Sequence, residues 1–236
     1  MVMGRYSTIL FDVGGTLLRF NLDLLAQAYV DAAAPEGIAL GFAQARTVLA
    51  GLERELPVRQ QQRPISLEAD NGQGFWDEFY ADGFRRLGIQ ADMGAAAAHI
   101  RERFQRAEFE MLFDDVIPAL DALRAHGFTL GILSNFSANL ENILRQVGVH
   151  PYFSFFIVSA IAGVEKPDLQ IFELAVRAAN HPRAEIVYIG DSIFHDVQGA
   201  QRAGMEAILV DRQNQHSDWK GTRVRDLHEL VKYLRE

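Results

Sequence analysis

From Phe113 onward the chain alternates short apolar runs with amphipathic helical stretches, and that alternation leaves few folds open. Helical spacing predicts helices over 116–125, 140–147, 169–179, 196–203 and 227–234. Compact apolar runs between them predict strands over 129–133, 155–159, 185–189 and 206–210. Strands separated by helices of this length imply right-handed crossovers and a parallel sheet covered on both faces. Residues 8–12, Thr-Ile-Leu-Phe-Asp, form a similar run that breaks at once into Gly14-Gly15-Thr16. This reads as a further buried strand of the same sheet, ending in a glycine turn.

Between 18 and 111 the pattern is different. Leu22, Leu25, Ala26 and Tyr29 recur at helical spacing, as do Phe75, Phe79, Ala81 and Phe84, and 95–109 reads as another helix. Stretches 60–64 and 71–74 read as loops, and no alternating strand is expected in this block. The expected fold is therefore α/β, a doubly wound parallel sheet. Its Rossmann-like core comprises 1–17 and 112–236, with a helical cap domain inserted over 18–111. Trp76, Phe79, Tyr80 and Phe84 are expected to form the core of the cap rather than a cofactor box.

Composition narrows the function. Lys and Arg number 23 against 31 Asp and Glu, a net charge of −8. Such a surface repels phosphate backbones and anionic lipid heads, so neither a nucleic acid nor a membrane is expected as partner. The chain has no cysteine, which removes disulfides, thiolate metal sites and a Cys nucleophile. The first eight residues carry no apolar leader, and the longest apolar stretch, 155–164, is too short for a membrane span. The expected location is cytoplasmic, and the expected assembly a monomer or homodimer. Only three cations are lysines, Lys166, Lys220 and Lys232. In so Arg-rich a chain, a retained lysine points to a place where a guanidinium cannot substitute.

In open parallel sheets, ligands bind beyond the carboxyl ends of the strands. Those ends carry a consistent polar set here: Asp12, then Ser134-Asn135, then Glu165-Lys166-Pro167-Asp168, then Gly190-Asp191-Ser192 with Asp196 five residues past Asp191. Any one of them could be a helix cap; all four in one crevice suggest chemistry. Asp12 and Asp191 would repel unless a hard cation such as Mg²⁺ neutralised them. Ser134 offers a hydroxyl, Lys166 a point charge and the Gly14-Gly15-Thr16 turn its backbone N–H groups. This describes a pocket for a tetrahedral dianion, in which an Asp carboxylate can itself attack phosphorus.

These residues resemble the haloacid dehalogenase superfamily, in its phosphatase-like branch with a helical cap after the first strand. Asp12-Val-Gly-Gly-Thr-Leu is similar to the family's first motif, Ser134-Asn135 to the second, Lys166-Pro167-Asp168 to the third and Gly190-Asp191-Ser192-Ile-Phe-His-Asp196 to the fourth. The resemblance implies a Mg²⁺-dependent hydrolase of small phosphorylated metabolites, with Asp12 as nucleophile. It implies a metal held by Asp12, the Gly14 carbonyl and Asp191, with Asp196 farther out or reached through water. Gly15, Ser134, Asn135 and Lys166 would bind phosphate, Lys166 would also stabilise Asp12 as an anion, and Asn135 would also order the second loop.

The departure is Gly14. The family's phosphatases carry there an Asp that protonates the leaving group and later activates water. Three readings follow. The first is a slow or restricted phosphatase, or one whose cap supplies a replacement, with Arg19, Asp23 and His99 as candidates. The second is a sister chemistry: phosphonate hydrolysis needs a cap lysine that this chain lacks, and 2-haloacid dehalogenation is disfavoured by Gly14 and by the retained Asp191. The third is a catalytically silent metal- and phosphate-binding or regulatory protein. His195 is expected to lie on a helix surface.

Overall fold

A computed structural model describes residues 5–61, 63, 65–68, 70 and 72–235. Parts of the expected loops at 60–64 and 71–74 therefore lie outside the described residues. By its internal contacts the chain divides into two compact units, Met1–Arg19 with Leu112–Glu236, and Phe20–Met111.

In chain order, β1 (Thr8–Phe11) and the short β2 (Leu18–Phe20) precede four helices, α1 (Leu22–Ala33), α2 (Phe42–Gln61), α3 (Gln73–Arg86) and α4 (Gly94–Gln105). After β3 (Glu110–Leu112) come α5 (Val116–Ala125), β4 (Thr129–Ser134), α6 (Leu140–Gln146) and β5 (Phe155–Val158). Then follow α7 (Ser159–Ala162), α8 (Leu169–Ala179), β6 (Ile186–Gly190), α9 (Gln198–Arg202), β7 (Glu206–Val210), β8 (Arg223–Val224) and α10 (Leu227–Arg235).

Six strands form one parallel sheet in the order β5-β4-β1-β6-β7-β8. The chain winds outward from β1 in both directions, so β1 sits at the point where the strand order reverses, with β4 and β6 as neighbours. Ile9, Leu10 and Phe11 are all fully buried, so both faces of this central strand are covered. On one face Leu10, Leu133, Tyr188 and Leu209 pack with Ile171, Phe172 and Ala175 of α8 and Ala200 of α9. α8 forms because its apolar residues recur at helical spacing, and Asp168 caps it by accepting from the Gln170 N–H at 2.8 Å. Burying its Phe172 contributes about 1.5–3 kcal/mol.

The helical unit has its own core, built on aromatic rings. Tyr29 stacks on Phe84 at 4.2 Å, Tyr80 on Phe104 at 5.1 Å, and the Tyr29 hydroxyl donates to the Tyr80 carbonyl at 2.7 Å. Phe79, Tyr80 and Phe84 are buried and Trp76 packs against them, as expected of core residues.

The structure differs from the sequence reading in several places. The block expected to be strand-free contributes to a two-stranded ribbon of β2 with β3. Strands of three residues are too short to establish an alternating period. The long helix α2 went unplaced because its outer face is polar along most of its length. The helix expected from 196 begins earlier, as a wide turn over Ile193–Val197. β8 has only two residues and no periodic signal. Among the described residues, no helix is long and apolar enough to cross a membrane.

A clamp fixes the turn that follows β1. Arg212, just past β7, donates to the Asp115 carboxylate at 2.9 Å and to the Thr16 carbonyl at 2.7 Å, and its guanidinium lies 3.8 Å over the Phe113 ring. Asp115 also accepts from the Leu227 N–H at 2.6 Å. Burial pushes the Asp115 carboxyl up, but these hydrogen bonds and the guanidinium charge outweigh it and hold the group below its ordinary value. A depressed carboxyl stabilises the fold above its unfolded range, and that contribution is lost as pH falls through the folded value. Arg212→Met should cost about 2–3 kcal/mol at neutral pH, because it leaves a buried carboxylate uncompensated. Urea unfolding should show the difference at pH 7 and show it shrinking in acid.

Candidate active site

Asp12 is the first residue beyond β1, and its N–H donates to the Ile189 carbonyl of β6 at 2.8 Å. The central strand thus delivers its carboxylate to the middle of the sheet's carboxyl edge, where it is only 6% exposed. Both polar partners converge on one oxygen: Ser134 donates to Asp12 Oδ1 at 2.9 Å and Lys166 Nζ at 2.6 Å. Ser134 closes β4, the neighbouring strand. Lys166 comes from the loop before α8, and Asn135 holds that loop at two points. The Asn135 amide nitrogen donates to the Lys166 carbonyl at 2.8 Å, and its oxygen accepts the Lys166 N–H at 2.7 Å. Asn135 is therefore engaged in joining two loops.

Lys166 is 2% exposed and spends its three ammonium protons on protein. Besides Asp12, it donates to Asp196 Oδ1 at 2.6 Å and to the Tyr188 hydroxyl at 2.8 Å. Its charge is directed at two carboxylates in this geometry. Asp196 is equally committed, since its Oδ2 accepts the Ser192 N–H at 2.9 Å. Tyr188 is the residue that sequence reasoning missed. Its one signal was a hydroxyl inside the otherwise apolar run Ile-Val-Tyr-Ile.

Asp191 follows β6 and lies against the turn after β1. Gly15 has φ +72°, and a Cβ there would strike the Asp191 carboxylate, so both the backbone and the close approach require glycine. Its N–H donates to the Leu18 carbonyl at 2.9 Å. Gly15 therefore shapes the turn. Gly190 is constrained in the same way, because a Cβ there would strike Asp196. Gly14 is different. It is exposed, its φ is not in the left-handed region, and no heavy atom beyond its chain neighbours lies within 4 Å of a Cβ built on it. Nothing in the turn compels a glycine at 14.

Asp12, Asp191 and Asp196 each offer one carboxylate oxygen, and these lie within 4.8 Å of one another. Burial raises the Asp12 carboxyl, Lys166 opposes it, and Asp196 adds repulsion; the net direction is up. Asp191 stands well above the usual range through burial and then repulsion from Asp12 and Asp196. Burial pulls the Lys166 ammonium down, but the two facing carboxylates outweigh it and raise it. Three carboxylates against one ammonium leave two negative charges in excess when all are ionised. A divalent cation matches that excess, and an all-oxygen donor set suits a hard one.

The remaining candidates are occupied or peripheral within their own units. Asp23 pairs with Arg46 at 2.5 Å, His99 is exposed, and Arg19 pairs with Asp114 and lies over the Phe113 ring. His195 is half-buried rather than fully on the surface, and burial lowers its imidazole.

Asp191→Asn should raise the thermal midpoint in EDTA, because it removes one of the repelling charges. Saturating Mg²⁺ should raise the wild-type midpoint by about 5–10 °C and leave the variant nearly unmoved. Differential scanning calorimetry with and without Mg²⁺ measures both.

A family model described as haloacid dehalogenase-like hydrolase matches residues 6–204. The haloacid dehalogenase-like hydrolase domain-containing protein 3 of Danio rerio is 29% identical over 212 residues, covering 87% of this chain and 85% of its own. The glyceraldehyde 3-phosphate phosphatase of Methanopyrus kandleri is 35% identical over 131 residues, 54% of this chain and 56% of its own. Among solved structures, the magnesium-bound HAD-hydrolase YfnB of Bacillus subtilis superposes with a TM-score of 0.73 at 23% identity, covering 98% of this chain and 100% of that one. That likeness establishes the fold.

Proposed function

The chain belongs to the haloacid dehalogenase-like hydrolases, and from that premise we propose that it hydrolyses small phosphate monoesters through a phospho-Asp12 intermediate. The observation that carries this reading is the buried Asp12 carboxylate, held by Ser134 and Lys166 on one oxygen and facing Asp191. A carboxylate fixed in this way is an oriented nucleophile. Phosphatase activity in a relative that matches about half of the chain supports the same chemistry.

In the first step an Asp12 oxygen forms a bond to phosphorus as the ester P–O bond breaks, and the leaving oxygen departs with the bond's electron pair and takes its proton from solvent water. In the second, a water oxygen bonds to phosphorus, the Asp12–phosphorus link opens and phosphate departs. Lys166 offsets the charge of Asp12, and Ser134 fixes the carboxylate's rotation. Mg²⁺, held by Asp12, Asp191 and the Gly14 carbonyl, would supply the positive charge that a dianionic substrate needs beside these acids. Asp196 would act through Lys166 and the Ser192 amide. Residues 20–111 would serve as the substrate-selecting cap.

Gly14 offers no carboxyl to protonate the leaving oxygen, so esters with good leaving groups should react best. Losing a general acid typically costs about 10²–10⁴ in rate. Because space is open at position 14, Gly14→Asp should fold and raise turnover of an aryl phosphate by about that factor. Asp12→Asn should abolish turnover in both backgrounds. Phosphate release with and without Mg²⁺ measures this. Inactivity of wild type and Gly14→Asp across a panel of esters would replace this reading with a catalytically silent binding protein, the reading that Gly14 itself favours.

A further inference from the structure

The hydroxyl of Tyr188 takes no part in the chemistry proposed above, yet it sits at the centre of the charged cluster. Tyr188 is fully buried in β6, paired in register with Leu10 of β1, and Phe172 packs edge-on against its ring at 5.7 Å. The ring is therefore fixed by the sheet and by α8, and phenylalanine would fit the same space. What phenylalanine would lack is the oxygen.

That oxygen has one proton and two acceptors in range, the Leu133 carbonyl at 2.7 Å and Asp196 Oδ1 at 3.1 Å. Asp196 Oδ1 already receives Lys166 Nζ at 2.6 Å. The hydroxyl thus donates to Leu133 and accepts the remaining Lys166 proton at 2.8 Å. Leu133 is the residue before Ser134. One phenol oxygen therefore ties the ammonium that faces Asp12 to the strand end that carries the other donor to Asp12.

We propose that Tyr188 is a positioning residue, which with Asp196 fixes the Lys166 ammonium so that one of its protons stays on Asp12. An ammonium on a flexible four-carbon stem has no preferred direction of its own. Two fixed acceptors, Asp196 and Tyr188, leave the third proton one orientation, toward the nucleophile. Without the hydroxyl, a buried donor and the Leu133 carbonyl both lose a partner, and the ammonium can tilt away from Asp12.

The kinetic part of this proposal rests on the phosphatase reading; the structural part does not, and the experiment separates them. The chain has only three lysines, and Lys220 and Lys232 are exposed. In protein labelled with ¹⁵N at lysine Nζ, Lys166 should give the one slowly exchanging ammonium signal, with a nuclear Overhauser contact to the Tyr188 ring in wild type. Absence of that contact overturns the proposal without any variant. In Tyr188→Phe the Lys166 signal should shift and its exchange with water should quicken by about tenfold, with Lys220 and Lys232 unmoved. An unchanged Lys166 signal in a folded Tyr188→Phe overturns the proposal. In the Gly14→Asp background, Tyr188→Phe should lower kcat by about tenfold and leave KM within about twofold. A change in KM with kcat unchanged overturns the positioning role. If the Gly14→Asp background is inactive, the phosphatase reading fails, and the lysine spectrum alone decides the link between Tyr188 and Lys166.

Discussion

The ion pair between Lys166 and Asp12, 154 residues apart in sequence, is the interaction on which the site depends. Three carboxylates gathered at a dry strand edge repel one another, and each is costly to bury. One ammonium, fully enclosed, offsets part of that charge and orients what remains. Such a pair is poor value as a stabilising device, since apolar residues of similar volume often do as well. Its presence at the carboxyl edge of the sheet is better understood as preorganisation: the charges are set in place before any ligand arrives.

The sheet makes this convergence possible. β1 lies between β4 and β6, so the residues that end these three strands emerge side by side. Asp12, Ser134 and Asp191 are brought together by strand order alone. Lys166 is not on a strand end, and needs the two-point hold of Asn135 on its backbone to reach the same place. Glycines at 15 and 190 remove the side chains that would otherwise displace Asp191 and Asp196. Gly14 has no such duty, which makes its departure from the phosphatase pattern a matter of chemistry rather than of backbone geometry.

Much of this was legible in the sequence, for reasons that can be named. Strands buried on both faces read as continuous apolar runs, so 129–133 and 206–210 were found nearly to the residue. Capped amphipathic helices such as 116–125 and 169–179 were equally clear. The polar residues at the strand ends stood out because they interrupt apolar runs. Less could be read where the signal was short or divided. β2, β3 and β8 have two or three residues each, and α2 carries too polar a surface to declare its apolar stripe. Tyr188 gave only a faint signal because an aromatic residue in a buried strand looks like core, and it is core in every atom but its oxygen.

The sequence by itself determined the α/β order, the parallel sheet and the set of acids, hydroxyls and the lysine that could share a crevice. These follow from local periodicity and from where polarity breaks it, which are properties of neighbouring residues. Only the tertiary structure decided how the donors are allotted. It directed all three Lys166 protons to protein acceptors, committed the Gly15 N–H to its own turn, occupied both oxygens of Asp196 and left position 14 open. Such bonds join residues from 3 to 154 positions apart and depend on angles and distances of tenths of an ångström. No pattern of residue types along a chain encodes them.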